Sequence, residues 1–303
     1  MAVTFKNLVP DRDVANTRTL LNEAIPITGS VVSGTYGDNN IKNYAHGMFQ
    51  SVYDYPYLSS SANHIFDLTV GYASDSPLSS STSIQNTKKI NIYNQMAQVL
   101  VGYDEDGNIR NFDRDGSLSS GKKLTECVFV NLARLITKDE IQKESFILSY
   151  ATGTDGSGLP IVSNFSTSLG TISDYGANTA GVGYKTNSPA GEYAILYTSS
   201  ATPNAESGVG LLYYQAGIAV LTASVFEGTF GSPTETTGYE SITAALTGTE
   251  ISAACNGFRA RLNNLQFNNT TELNSTIYFC RAGTSDFNYS ANPTYLSNSK
   301  IRV

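Results

Sequence analysis

The chain has 303 residues, enough to bury a substantial core in two lobes or in one elaborated domain. Hydrophobic residues make up 40% and charged residues only 15%, against roughly 25% charged in an ordinary soluble domain; Ser, Thr, Asn, Gly and Tyr fill the difference. A net charge of −7, with the pair Lys88-Lys89 as the longest cationic cluster, argues against a sequence-independent grip on DNA or RNA, which needs clustered Lys and Arg.

A surface poor in charge favours company, because Lys and Glu are what keep a lone protein solvated. A secreted or surface β protein has similar composition, and both readings stand at this point. Cys127, Cys255 and Cys280 are too few and too scattered for a disulfide framework, and each is expected as a buried thiol in a reducing cytosol. The beginning Met1-Ala2-Val3-Thr4-Phe5-Lys6 lacks the apolar core of a signal peptide, and no stretch reaches the length of a membrane span. The expectation is a chain with no membrane partner, made in a cytoplasm.

In chain order, Asp11 and Asp13 precede Val14, Thr17, Leu20, Leu21 and Ala24 at helical spacing, which predicts a helix ended by Pro26. Residues 27–40, rich in Gly, Ser and Asn, predict a loop or arm. Tyr53, Tyr55 and Tyr57 alternate as in an extended segment with its rings on one face. Ile65 to Val70 predicts a short strand, and Ser79 to Ser83 a linker. From Lys89 to Val101 the residues Ile92, Tyr93, Met96, Ala97, Val99 and Leu100, with Gln95 and Gln98 between them, predict the strongest helix of the chain. Asp106-Gly107 signals a turn, Cys127 to Leu132 a continuous apolar strand, and Thr137 to Ile141 a capped helical turn.

Beyond residue 145 the pattern is mostly β. Phe146 to Tyr150 and Tyr193 to Tyr197 are predicted strands, separated by a stretch rich in Gly, Ser, Thr and Asn that suits a mobile loop or an arm over another subunit. Gly210 to Tyr214 and Gly217 to Leu221 predict a hairpin around Gln215-Ala216, apolar enough for both faces to be covered. Leu265 to Phe267 and Thr276 to Phe279 predict a second hairpin, turning at residues 268–271. The tail after Arg281 alternates Phe287, Tyr289 and Tyr295 and suits strand addition to a neighbour or packing on its own domain. No repeat at solenoid spacing occurs. The expected fold is α+β and mainly β: antiparallel sheets in a sandwich-like core, a few helices in the amino-terminal half, and extended arms. The expected division is a mixed α/β lobe over 1–145 and a mainly β lobe over 146–303.

Chemistry finds little support. His46 and His64 each lack a second nearby ligand, and no Gly-x-Ser-x-Gly elbow frames a serine. Asn111, Asp113 and Asp115 before Gly116 invite a calcium loop, but its twelfth position, where a bidentate carboxylate is required, holds Lys122. Two consecutive turns are the simpler reading. Gly153 to Gly158 lacks the lysine of a phosphate loop. The chain has no Trp, although its 19 Tyr supply rings for stacking on sugars. Neither a catalytic residue nor a cofactor nor a metal ligand is assigned.

Three stretches carry a resemblance: Asn91-Ile92-Tyr93-Asn94-Gln95-Met96-Ala97-Gln98, the segment from Val209 to Leu221, and Tyr278-Phe279-Cys280-Arg281-Ala282 followed by Phe287-Asn288-Tyr289-Ser290-Ala291-Asn292-Pro293. Together they resemble virion structural proteins of T-even-like contractile-tailed phages, especially of marine bacteria. The resemblance implies a non-enzymatic tail or baseplate subunit located in the virion, partnered by copies of itself and by other virion proteins. A neck connector and a surface receptor- or glycan-binding module are the alternatives. The expected assembly interface is Tyr53, Tyr55, Tyr57, Phe287, Tyr289 and Tyr295.

Overall fold

The computed structural model describes residues 7–28, 37–80, 82–118, 121–151, 169–179, 183–198, 207–226, 242–248, 250–280, 296–297 and 300–301. The first elements are a single helical turn α1 (Pro10–Asp13) and the strands β1 (Val14–Thr28), β2 (Ile41–Asn43), β3 (Gln50–Tyr53) and β4 (His64–Tyr72). Helix α2 (Asn86–Leu100) follows, then β5 (Phe112–Asp113), β6 (Lys123–Leu124), β7 (Glu126–Leu132), the turn α3 (Arg134–Thr137) and β8 (Glu140–Ile141). The rest comprises β9 (Ile147–Ala151), β10 (Leu169–Ser173), β11 (Tyr193–Thr198), β12 (Gly210–Tyr213), β13 (Ile218–Thr222), α4 (Ile242–Thr247), α5 (Ile251–Arg261), β14 (Leu262–Tyr278), β15 (Leu296–Ser297) and β16 (Lys300–Ile301).

Twelve strands form one sheet in the order β1-β14-β9-β10-β11-β12-β13-β7-β4-β3-β2, with β8 also on β14. The fold is therefore α+β, mainly β and antiparallel, as its composition predicts. Its centre is the strongest apolar run of the chain: Cys127, Val128, Phe129 and Val130 in β7 are fully buried between β4 and β13. The hairpin β12–β13 turns through Gln215-Ala216, with Gly217 at φ 68° supplying the left-handed residue its turn needs. All four residues of β12 are buried, so the hairpin is covered on both faces.

Helices cover β4 on both sides. Gly71 lies on one face, where an added Cβ would stand 2.7 Å from the Lys89 carbonyl oxygen, so its missing side chain lets α2 sit directly on the strand. On the other face Gln50, cross-strand from Leu68, accepts from Arg259 Nε (2.7 Å) and donates to Asn256 (2.9 Å), both on α5. In α2, Ile92, Tyr93, Ala97 and Leu100 are buried while Gln95 and Gln98 are exposed, the stripe its spacing predicts, but Val99, expected on that stripe, is exposed at its edge. Lys89, fully buried in its first turn, donates to the carbonyls of Ile84 (3.2 Å) and Gly248 (2.7 Å), the latter just past the end of α4. Burial lowers its pKa to about 8.

Six expectations are corrected. Residues 14–28 form strand β1, because pairing with β14 supplies a ladder that outweighs the helical spacing of five apolar residues. Residues 262–278 are one strand with no turn at 268–271: the Asn268 carbonyl accepts from Gln142 N (2.8 Å), and Asn269 Nδ2 donates to the Ile136 carbonyl (2.8 Å). The helical turn near residue 137 ends there, since Lys138 has φ 55° and β8 follows. The polar stretch after residue 151 contributes β10, a strand of the main sheet between β9 and β11. Helices α4 and α5 lie in the carboxy-terminal half, and Cys280 is exposed while Cys127 and Cys255 are buried.

The chain divides into two compact units, Asn22–Thr271 and a smaller one of Met1–Leu21 with Glu272–Val303. In the larger unit lies the core just described. In the smaller unit β1 and β14 are tied by Arg18 with Glu272, by Thr276 Oγ1 donating to Asn16 (2.9 Å), and by Phe279 N donating to the Asp13 carbonyl (2.8 Å). These pairs run in opposite directions along the two strands, which are antiparallel. No helix among the described residues is long and apolar enough to cross a membrane.

Candidate functional site

The tyrosines expected at an interface fall where β3 ends. Tyr53 is its last residue and half-buried, and the chain then turns, so the expected extended run stops there. The Tyr53 ring lies 6.4 Å from Tyr57 and 5.4 Å from His64, centre to centre, while Tyr55 and Tyr57 are exposed at 47% and 37%. Phe287, Tyr289 and Tyr295 lie outside the described residues.

His64 opens β4 and leads to a polar network set into the sheet. Its Nε2 lies 2.8 Å from Asp67 Oδ1, and the Ser51 hydroxyl donates to the same oxygen. The Tyr44 hydroxyl stands 3.3 Å from Ser51 Oγ. The hydrogen bond to Asp67 raises the His64 pKa above its usual value, burial opposing it. The residue types are those of a hydrolase triad, but the order is not: the carboxylate sits between hydroxyl and imidazole, so no imidazole stands ready to take the serine proton. The arrangement holds Asp67 in place and leaves Ser51 an ordinary hydroxyl.

Asp67 also lines a groove of about 260 Å³ on the α2 side of the sheet. The groove exists because Gly71 seats the first turns of α2 tightly on β4, while further along the larger residues Thr69 and Asp67 hold the space open. Ile92, Gln95 and Met96 come from α2, Thr69 and Asp67 from β4, Phe129 and Asn131 from β7, and Met48 and Phe49 from the loop before β3. Register explains the polar end, since Ser51, Asp67 and Asn131 are successive cross-strand partners on one face. The Thr69 hydroxyl donates to the Met48 carbonyl (2.6 Å) and ties the loop to the sheet. Phe129 is held by Phe112 and Tyr93, with ring centres 5.7 and 6.4 Å away. Both protein bonds of Asp67 go to Oδ1, and among the described residues Oδ2 and the side-chain amides of Asn131 and Gln95 have no hydrogen-bonding partner.

Beside it, Tyr44 and His46 stack at 5.1 Å and 11°, and Phe49 packs against both at 4.7 and 5.0 Å. These rings line a second cavity of about 320 Å³ together with Lys88, Glu250 and Ser252.

The residues that invited a calcium loop do separate work. Asn111 donates to Asp75 (3.0 Å), Asp113 pairs with Lys123, and Asp115 accepts from Ser117 N (2.8 Å). Asp104 accepts from Asp106 N (3.0 Å) and Asn108 N (2.7 Å), closing the turn before. No group of three or more His, Cys, Asp or Glu among the described residues is placed to hold a metal ion.

Sequence reasoning singled out His64 and passed over Asp67 and Asn131. Their signal is a polar residue interrupting an apolar strand that is covered on both faces: Asp67 within Ile65 to Val70, and Asn131 within Cys127 to Leu132. Comparison with protein-family models, with curated proteins and with solved structures finds no match to the chain.

Proposed function

We propose that the chain is a structural, non-catalytic subunit of a tailed-phage virion, in the tail or baseplate, held to its neighbours by strand addition and extended arms. The observation that carries this reading is the state of β1 and β14 in the smaller unit. Residues 16–21 and 273–278 are exposed in succession, on both faces of the strands, and include Leu20 (50%), Leu21 (52%), Leu273 (48%), Ile277 (48%) and Tyr278 (60%). Two strands with neither face covered are marginal in water. Among the described residues β1 also has a neighbour on one side only, and fifteen residues of open edge invite another strand. The weak surface charge and the resemblance of the α2, hairpin and Tyr278–Ala282 motifs to virion proteins point the same way.

Mass spectrometry of particles purified from the source of this sequence tests the reading. The expected result is the chain in fixed multiple copies per particle. Its absence from particles, or a stable monomer that turns over a substrate, refutes it. The copy number also separates a baseplate subunit from a neck connector.

A second reading, a receptor- or glycan-binding module at the particle surface, is favoured by the ring cluster of Tyr44, His46 and Phe49 beside Lys88 and Glu250. Sugars stack on such faces and bond to such polar rims. Micromolar binding on a glycan array, lost in His46→Ala, would replace the structural reading with this one.

A further inference from the structure

We propose that the groove between α2 and the sheet takes the guanidinium side chain of an arginine presented by a partner protein. This deepens the assembly reading and rests on it for the source of the arginine. The recognition chemistry rests on the groove alone.

The size sets the class of occupant. At about 260 Å³ the groove exceeds the roughly 150 Å³ that holds a benzene molecule in an apolar cavity, so it accommodates a side chain rather than a lone water. Its walls are Met48, Phe49, Ile92, Met96 and Phe129, which suit the methylene stem of a long side chain. At its end stands one carboxylate, with Oδ2 uncommitted, and beside it the Asn131 amide on the neighbouring strand.

That combination selects guanidinium over ammonium. Directly opposed side chains on neighbouring strands start about 5 Å apart, a span that the planar five-donor fork of arginine bridges and a point-like ammonium does not. Guanidinium is also the more weakly hydrated cation and stacks on aromatic faces such as that of the half-buried Phe49. The cations nearby are already engaged. His64 lies on the other carboxylate oxygen, and Lys88 donates to the His46 carbonyl (3.0 Å). A chain of net charge −7 gains further from a cationic partner.

The test is a titration of the purified full chain, followed by amide chemical shifts, with N-acetyl-arginine methylamide and with N-acetyl-norleucine methylamide as the uncharged control. The blocked arginine is expected to bind at millimolar strength, about tenfold tighter than the control, with shifts centred on Asp67, Gln95 and Asn131. Asp67→Asn is expected to remove the preference. Met96→Lys, which places a resident ammonium in the groove at a partly exposed position, is expected to block binding in a chain whose core is untouched. Equal binding of the two probes, or an arginine preference that survives both substitutions, overturns the proposal. Agmatine binding roughly a hundredfold tighter than blocked arginine would make the occupant a free guanidine compound and overturn the partner. A chain missing from particles that still binds blocked arginine sinks the assembly reading alone. A chain present in particles that does not bind sinks the groove alone.

Discussion

Gly71→Ala is the sharpest test of how the fold builds its groove. The added Cβ would stand 2.7 Å from the Lys89 carbonyl oxygen, 3.0 Å from Tyr93 N and 3.3 Å from Tyr93 Cβ. All three belong to the α2 backbone or are fixed to it, so no rotamer change relieves them. The helix must retreat by roughly 0.5–1 Å, and a gap of that size forfeits about a quarter to a half of the dispersion energy of each facing contact. The face that retreats carries Ile92, Tyr93, Ala97 and Leu100, and with them the Tyr93 hydroxyl that donates to the Leu124 carbonyl (2.7 Å) and accepts from Phe112 N (3.1 Å).

Overpacking costs about 1–3 kcal/mol, and backbone on the receiving side puts this site at the upper end. The lower chain entropy of unfolded Ala returns about 0.4–1 kcal/mol, leaving a net loss near 2 kcal/mol. Gly107→Ala is the control. Nothing lies within 4 Å of its Cβ, but its φ of 82° is left-handed, so its cost is conformational and about 1 kcal/mol. Urea unfolding of both variants, compared at constant m-value, measures the difference. A Gly71→Ala variant within about 0.5 kcal/mol of the parent would refute the reasoning, because it would mean that α2 does not depend on direct contact with β4.

Asp174 is buried, and desolvation raises its pKa to about 6 although Tyr214 Oη (2.8 Å), Glu144 N (2.7 Å) and Phe146 N (3.1 Å) all donate to it. The folded chain therefore keeps this proton to higher pH than the unfolded chain. Its contribution is present below about pH 4 and is lost as pH rises through 6, by about 3 kcal/mol at 1.36 per unit; stability measured from pH 4 to 7 should lose that slope in Asp174→Asn. His64, raised by Asp67, should titrate above 6.5 by imidazole NMR and fall back in Asp67→Asn. Its stabilising pair is complete below pH 6.5 and fades as pH rises through the elevated value, and an unchanged titration in the variant would disprove the pairing. Leu20→Lys with Ile277→Lys, both at exposed positions, should leave the melt of the isolated chain unchanged and abolish self-association or incorporation into particles; assembly that persists would count against strand addition.

Local pattern made much of the centre legible. The α2 stripe, the apolar run of β7 and the β12–β13 hairpin each declare themselves within a dozen residues, and each is buried where its period places it, except Val99 of α2, which is 64% exposed. The first and the last long strands did not. Val14, Thr17, Leu20, Leu21 and Ala24 have helical spacing, yet Thr17, Thr19 and Asn22 are weak helix formers, and the residues that decide the matter lie some 250 positions away. The same distance hid the continuity of β14. An Asn-Asn-Thr-Thr run reads as a turn because such side chains usually bond to their own backbone, whereas here they bond to neighbours. The groove was illegible for a related reason. Asp67 and Asn131 are 64 positions apart, and only the β4–β7 register makes them opposite.

The low charge of the chain takes on a definite meaning once those partners are known. In β14, Asn269 Oδ1 accepts from Glu23 N (3.2 Å), and Thr270 donates to Asn22 (3.0 Å) and Thr276 to Asn16 (2.9 Å), so short amides and hydroxyls serve as ties between strands. Each such tie locks register without the entropy cost of ordering a long Lys or Glu side chain. Because register is held by polar ties, it does not have to be held by apolar packing, and the apolar residues between the ties are left outward. Leu273 and Ile277 flank the tie at Thr276 and remain about half exposed. A strand pair that fixes its own register through polar side chains while presenting its apolar ones is ordered in advance, and in the proposed strand addition this preorganisation would lower the entropic cost of assembly.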